Sequence, residues 1–156
     1  MRPRLARRVG ELEQAFVEVQ RTRMAGVPVL NPRLRVQAVG FASDAEPEDV
    51  AWGVLVTPWF MNLVRLPLAE TAARALLPAG HKAWREAGTR GFEFIGGEEA
   101  ALGRYEACSL FSPMFEFTDH GAALATAEAV LQQLRQPAAA ARRGFLFGRG
   151  NSREPA

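Results

Sequence analysis

The chain has 156 residues, 48% of them apolar and 23% charged, with a formal net charge of +2. Length and composition fit one globular domain with a real core, and no apolar run approaches the roughly eighteen residues of a transmembrane helix. The single cysteine, Cys108, excludes an internal disulfide and any multi-cysteine metal site. The charge is segregated. Residues 1–30 carry six Arg against three Glu, residues 31–134 eight Lys and Arg against thirteen Asp and Glu, and residues 135–156 five Arg against one Glu. A nucleic-acid binder carries its positive charge on the folded surface. An acidic body between basic ends argues against one and suits a basic peptide or protein partner.

In chain order, Leu5, Val9, Leu12, Phe16 and Val19 form one apolar helical stripe. Arg7, Arg8, Glu11, Glu13, Glu18 and Arg21 form its solvated face. The start, Met1-Arg2-Pro3-Arg4, leads into this amphipathic stretch rather than an apolar one, so no secretory signal is expected and the expected address is the cytoplasm. The helix should end near Gly26-Val27-Pro28, and Asn31-Pro32 marks a turn. A strand follows over Leu34 to Phe41, with Leu34, Val36, Ala38 and Gly40 alternating with Arg35, Gln37, Val39 and Phe41. Asp44 to Asp49 reads as an acidic loop, Val50 to Thr57 as an apolar strand, and Phe60 to Leu66 as its continuation beyond Pro58. A short helix fits Pro67 to Leu77, and short strands fit His81 to Ala87 and Thr89 to Ile95. Gly96 to Glu99 reads as a loop, Leu102 to Phe111 as a strand, and Asp119 as the N-cap of a last helix with Leu124, Ala127, Leu131 and Leu134 on its stripe. Helix, consecutive strands, helix predicts an α+β fold, an antiparallel β-sheet flanked by an N-terminal and a C-terminal helix. Residues 1–136 form the expected domain, and 137–156 read as a flexible basic C-terminal tail.

Two segments set proline beside aromatic and methionine residues inside apparent strand: Val54 to Pro67, containing Thr57-Pro58-Trp59-Phe60-Met61-Asn62, and Cys108 to Phe117, containing Phe111-Ser112-Pro113-Met114. Proline has no amide donor and does not belong in a central strand. So many large apolar groups do not belong in a solvated loop. Either strands break at a rim and present Trp, Phe and Met to a partner, or both segments are simply buried.

No catalytic constellation emerges. A nucleophile needs an adjacent base, and nothing in the sequence places His81 or His120 beside Cys108, which reads as a small buried hydrophobe. His120 reads as a helix-start residue. Gly88 and Gly96-Gly97 lack a phosphate-loop or dinucleotide pattern, and no metal site or cofactor is expected.

Several residue groups together resemble the [NiFe]-hydrogenase assembly chaperone family of the HybE type. They are Asn31-Pro32 with Val36-Gln37-Ala38-Val39-Gly40-Phe41, then Gly53-Val54-Leu55-Val56-Thr57-Pro58-Trp59-Phe60-Met61-Asn62-Leu63, Gly103-x-Tyr105, and Cys108-Ser109-Leu110-Phe111-Ser112-Pro113-Met114. The resemblance covers roughly residues 5–135. Some relatives carry a rubredoxin-like iron module, whose paired Cys-x-x-Cys ligands are absent here. The resemblance implies a non-enzymatic maturation chaperone in the cytoplasm. It would bind the hydrogenase small-subunit precursor, the large subunit, or both, alone or with other maturation proteins, and delay twin-arginine export until cofactors are inserted. Its binding surface is then expected on Thr57, Pro58, Trp59, Phe60, Met61 and Asn62, joined by Phe111, Pro113 and Met114.

The tail adds Arg142-Arg143-Gly144-Phe145-Leu146, the kernel of a twin-arginine signal, at the wrong end of the chain for export. As a tethered mimic, Arg142, Arg143, Phe145 and Leu146 would compete for the signal-binding surface through carboxylates such as Glu93, Glu106 or Glu116. The rival reading is a small-molecule or maturation-intermediate carrier, an α+β cup lined by Trp52, Trp59, Phe92, Phe94 and Tyr105. A third is an enzyme using Cys108.

Overall fold

The computed structural model describes residues 3–43 and 49–136. Helix α1 (Pro3–Arg21) precedes strands β1 (Gln37–Ser43), β2 (Val50–Val56) and β3 (Met61–Pro67). A one-and-a-half-turn helix α2 (Glu70–Ala75) leads to β4 (Lys82–Ala87), β5 (Arg90–Glu99) and β6 (Gly103–Phe111), and α3 (His120–Leu134) closes the described chain. The strands form one antiparallel sheet in the order β1-β2-β3-β6-β5-β4. This is the expected α+β architecture.

The helices lie on opposite faces. On the α1 face, Leu5, Leu12 and Phe16 pack against Phe41, Leu55, Val64 and Leu66. On the α3 face, Ala123, Ala127, Leu131 and Leu134 pack against Trp52, Val54, Leu63 and Phe94. Strand β2 serves both cores, which is why all seven of its residues are buried and why it reads as a continuous apolar run. Each large side chain so buried contributes about 1.5–3 kcal/mol of hydrophobic stabilisation.

Local chemistry sets the ends of elements. The Asp119 carboxylate accepts from the Ala122 amide at 2.8 Å and caps α3, as its place in the sequence predicts. The β2–β3 connection is a tight turn. Its Thr57 amide donates to the Phe60 carbonyl at 2.9 Å, and the Thr57 hydroxyl oxygen accepts from the Phe60 amide at 2.9 Å.

Two expectations are corrected here. Strict alternation puts Phe41 on the face of Val39, but the register shifts between Val39 and Ala42. The bulge glycine Gly40 takes φ +67, and Phe41 joins Ala38 on the α1 face while Val39 faces α3. The Gly96 to Glu99 loop is instead the second half of β5. A side chain at Gly96 would meet the Leu77 and Pro78 carbonyls, and one at Gly97 the Tyr105 ring, so these glycines mark close approaches within a strand.

The sheet curls around α3. The Thr89 amide, in the turn after edge strand β4, donates to the Leu134 carbonyl at 2.8 Å. Arg135 donates to the carbonyls of Gly40, on edge strand β1, and Trp52, on β2, at 2.7 and 2.8 Å. Its guanidinium lies 4.2 Å from the Trp52 ring centroid. The end of α3 therefore ties together the two sides of the sheet.

Candidate partner-binding site

The two proline-interrupted segments meet at one end of the sheet. Met61, at the start of β3, pairs with Phe111, at the end of β6, across a register shift, and Asn62 pairs with Ser109. A third segment locks them. The Asn31 amide donates to the Pro58 carbonyl at 2.9 Å, and its buried side chain donates to the Met114 and Phe117 carbonyls, both at 3.0 Å. The Asn31 side-chain oxygen accepts from the Arg33 amide at 3.0 Å, which completes an Asx turn. Three strings more than eighty residues apart at the extremes thus converge, and the Ser112–Pro113 peptide beside them is cis.

Burial divides the nine residues expected at the surface. Thr57, Pro58, Met61 and Met114 are buried, all but Pro58 completely, and Met61 and Met114 belong to the α3-side core. Their side chains sit inside the fold, while Asn31 ties the backbones of their segments together. Trp59, Phe60, Asn62 and Phe111 are half-buried, and Pro113 is exposed. Trp59 and Phe60 stack edge to face, 5.4 Å between centroids, and Phe60 stands likewise against Phe16 at 5.7 Å. Phe111 meets Phe117 at 5.2 Å. Asn62 Oδ1 is buried with no hydrogen-bond partner among the described residues. Such a group costs about 1–3 kcal/mol until a donor reaches it.

The sequence reading missed a buried ionic cluster. Glu106 is fully buried and accepts from Arg65 Nε at 2.9 Å, from Arg85 at 3.0 and 3.1 Å, and from the Leu77 amide at 2.8 Å. Burial alone raises the pKa of Glu106. The hydrogen bonds from Arg85 and the Leu77 amide, with the Arg65 charge, outweigh it and hold the carboxyl below its ordinary value. Glu106 is therefore withdrawn as a carboxylate for the tail guanidinium groups, whereas Glu93 and Glu116 are exposed. Nothing in the local sequence links Arg65, Arg85 and Glu106, and only the strand order brings the three together.

The aromatic cup is also corrected. Trp52, Phe92 and Phe94 lie on the α3 face, while Trp59 and Tyr105 lie on the α1 face, so the sheet itself separates them. Burial and the Glu99 charge push Tyr105 up to about 12, against the opposing pull of Arg23. A cleft of about 770 Å³ does lie elsewhere, between α1, α2 and the β5–β6 turn, lined by Arg7, Arg74, Arg104, Glu70 and Glu98 over Leu68. It contains none of the five aromatic residues. Burial and Glu93 push the Cys108 thiol up to about 11, and a thiol is a nucleophile only when ionised. His120 is engaged elsewhere, its Nδ1 accepting from the Arg35 amide at 3.3 Å and its Nε2 3.0 Å from Gln37 Oε1. Among the described residues no three His, Cys, Asp or Glu side chains converge to hold a metal ion.

The model of the family described as "[NiFe]-hydrogenase assembly, chaperone, HybE" matches residues 7–148. The chain belongs to this family. It is similar to protein HoxT of Cupriavidus necator, with 46% identity over 91% of this chain and 89% of that protein. It is also similar to the hydrogenase expression/formation protein HupJ of Bradyrhizobium diazoefficiens, with 42% identity over 81% of this chain and 71% of that one. The solution structure of HybE from Escherichia coli shares the fold, with a TM-score of 0.59 at 20% identity over 83% of this chain and 78% of that one. As a HybE-type assembly chaperone, the protein has hydrogenase assembly as its setting and hydrogenase subunits as its implied partners. No helix among the described residues is long and apolar enough to cross a membrane. Residues Arg142, Arg143, Phe145 and Leu146 lie outside the described residues, although the family match runs through them.

Proposed function

We propose that this HybE-type chaperone binds [NiFe]-hydrogenase subunit precursors in the cytoplasm, without catalysis, and delays twin-arginine export until cofactors are inserted. The observation that carries this reading is the convergence of the two unusual segments on Asn31, at a rim that leaves Trp59 and Phe60 partly accessible and Pro113 exposed. Trp59 and Phe60 act as aromatic anchors, since such groups dominate binding hot spots. Asn62 donates its side-chain N–H to the client, because its Oδ1 is buried. Thr57, Pro58, Met61 and Met114 fix the rim from beneath, and Phe111 supports it.

The tail residues Arg142, Arg143, Phe145 and Leu146 belong to the same reading, as a tethered competitor for the client signal. Removing residues 138–156 then tightens signal-peptide binding, and unchanged or weaker binding overturns the competitor role.

The test is coexpression of the tagged full chain with each hydrogenase subunit precursor, and mass spectrometry of what copurifies. Wild type captures a precursor, and the Trp59→Ala, Phe60→Ala double variant, checked for folding by circular dichroism, loses it. Capture of no precursor by wild type overturns the chaperone reading. Equal capture by both forms moves the contact off this rim.

A further inference from the structure

The sheet has an opening. Strand β5 begins at Arg90 and β6 runs on to Phe111, but their ladder extends only from Glu99↔Gly103 to Ile95↔Ala107. Beyond that point the first half of β5, Arg90 to Phe94, is paired by β4 alone. The last residues of β6, Cys108 to Phe111, are paired by β3 alone. Each strand therefore turns one row of backbone N–H and C=O groups toward the opening. An unpaired edge of this kind is a template for another strand.

The side chains around the opening differ on its two faces. Inward, toward α3, stand Phe92 on one strand and Cys108, Leu110 and Phe111 on the other, all half-buried at the margin of the core. Outward, Glu93 is exposed and stands opposite Trp84 on β4, which is 48% exposed. Glu93 is near enough to Cys108 for its charge to raise that thiol's pKa. Glu86 is exposed on the same outer face, and neither carboxylate makes an ion pair among the described residues. The cation of this face, Lys82, stands one row away, opposite Ile95. On the far side of β6, Ser109 is exposed beside Asn62.

We infer that the opening between Arg90–Phe94 and Cys108–Phe111 accepts an extended peptide strand from the client. Side chains alternate across a strand. The peptide that fits has apolar residues at every second position, closing the core margin at Phe92, Leu110 and Phe111. Between them it has an outward cation that stacks on Trp84 and pairs with Glu93. Backbone pairing supplies affinity, and the alternating side chains supply selection. This inference rests on the chaperone reading for the identity of the client, and it places the contact beside the Trp59–Phe60 rim, with Phe111 common to both.

The probe is a capped ten-residue peptide alternating valine with threonine around one central arginine, titrated into the full chain by fluorescence anisotropy. Its counterparts carry glutamate for the arginine, or proline for two valines. The arginine peptide binds at least about tenfold tighter than the glutamate peptide, and Glu93→Lys reverses that order. The proline peptide does not bind, since proline cannot complete a ladder. Bound arginine peptide slows amide exchange within Cys108–Phe111. No binding at millimolar peptide, equal binding of the two charge forms, or binding without protection of those amides overturns the inference. Precursor capture is run alongside. Capture that is equal for wild type and Glu93→Lys overturns the opening as a client site and leaves the chaperone reading standing. Retained peptide selection with no precursor captured supports the opening and overturns the chaperone reading.

Discussion

The side-chain amide of Asn31 donates to the backbone carbonyl of Met114 at 3.0 Å, eighty-three residues away. The same amide nitrogen reaches the Phe117 carbonyl, and the Asn31 backbone holds Pro58. One buried side chain therefore satisfies the irregular backbone that two prolines leave without a ladder. Asn31→Ala is expected to destabilise the fold by roughly 1–3 kcal/mol, because it strands the buried Phe117 carbonyl, whereas the Met114 carbonyl keeps the Phe117 amide. Asn31→Asp, with no N–H to donate, is expected to be no better. Urea denaturation followed by circular dichroism measures both. A loss below about 0.5 kcal/mol would show that the clamp is dispensable.

Glu106 is the counter-ion of two guanidinium groups under the segment that follows α2. Glu106→Gln keeps the shape and removes the charge, leaving Arg65 and Arg85 facing each other in a largely dry site. The expected cost is about 3–5 kcal/mol. Arg85→Met leaves one pair intact and removes the more exposed partner, with an expected cost nearer 1 kcal/mol. The ranking of the two variants by chemical denaturation is the check.

Stability is expected to fall in acid, in two steps. Burial, then the Arg35 charge, hold His120 below its ordinary value of 6.5, against the pull of Asp119. Its contribution is complete above about 6.5, and as the pH falls the unfolded chain takes up a proton that the folded chain refuses. Glu106, also lowered, contributes fully above its ordinary value of 4.5 and loses that contribution as the pH falls further. Urea midpoints measured from pH 8 to pH 3 are expected to drop below 6.5 and again below 4.5. His120→Gln removes the first drop and keeps the second.

Cys108 is expected to be inert. With the thiol pushed up to about 11, roughly one molecule in ten thousand carries a thiolate at neutral pH. Native protein should react with iodoacetamide at least about a hundredfold more slowly than urea-unfolded protein at the same pH. Cys108→Ser should retain precursor capture. Rapid native alkylation, or loss of capture by a folded Cys108→Ser variant, would return Cys108 to the list of functional groups.

Local signals were legible because they act within a few residues. The α1 stripe, the Asp119 cap and the apolar β2 follow from helical period, a short polar side chain and a β-branched run, whereas the break at Pro58 proved to be a reversal into antiparallel β3 and not a continuation of the same strand. The α+β class follows from the order of these elements. The two unusual strings were also evident as strings, and with them the resemblance to the chaperone family.

What the strings do in space was settled by tertiary contacts. A bulge at Gly40 reversed the face of Phe41, a slip that alternation cannot report. The strand order β1-β2-β3-β6-β5-β4 placed Met61 beside Phe111, sank Thr57, Pro58, Met61 and Met114 beneath the rim, and split the aromatic residues of the supposed cup between two faces. The same order joined Arg65, Arg85 and Glu106 into one buried cluster and left β5 and β6 parted beyond Ile95. These outcomes depend on pairings between residues tens of positions apart. Periodicity and capping fix which way a side chain points along its own element, and only the packed sheet fixes what stands opposite it.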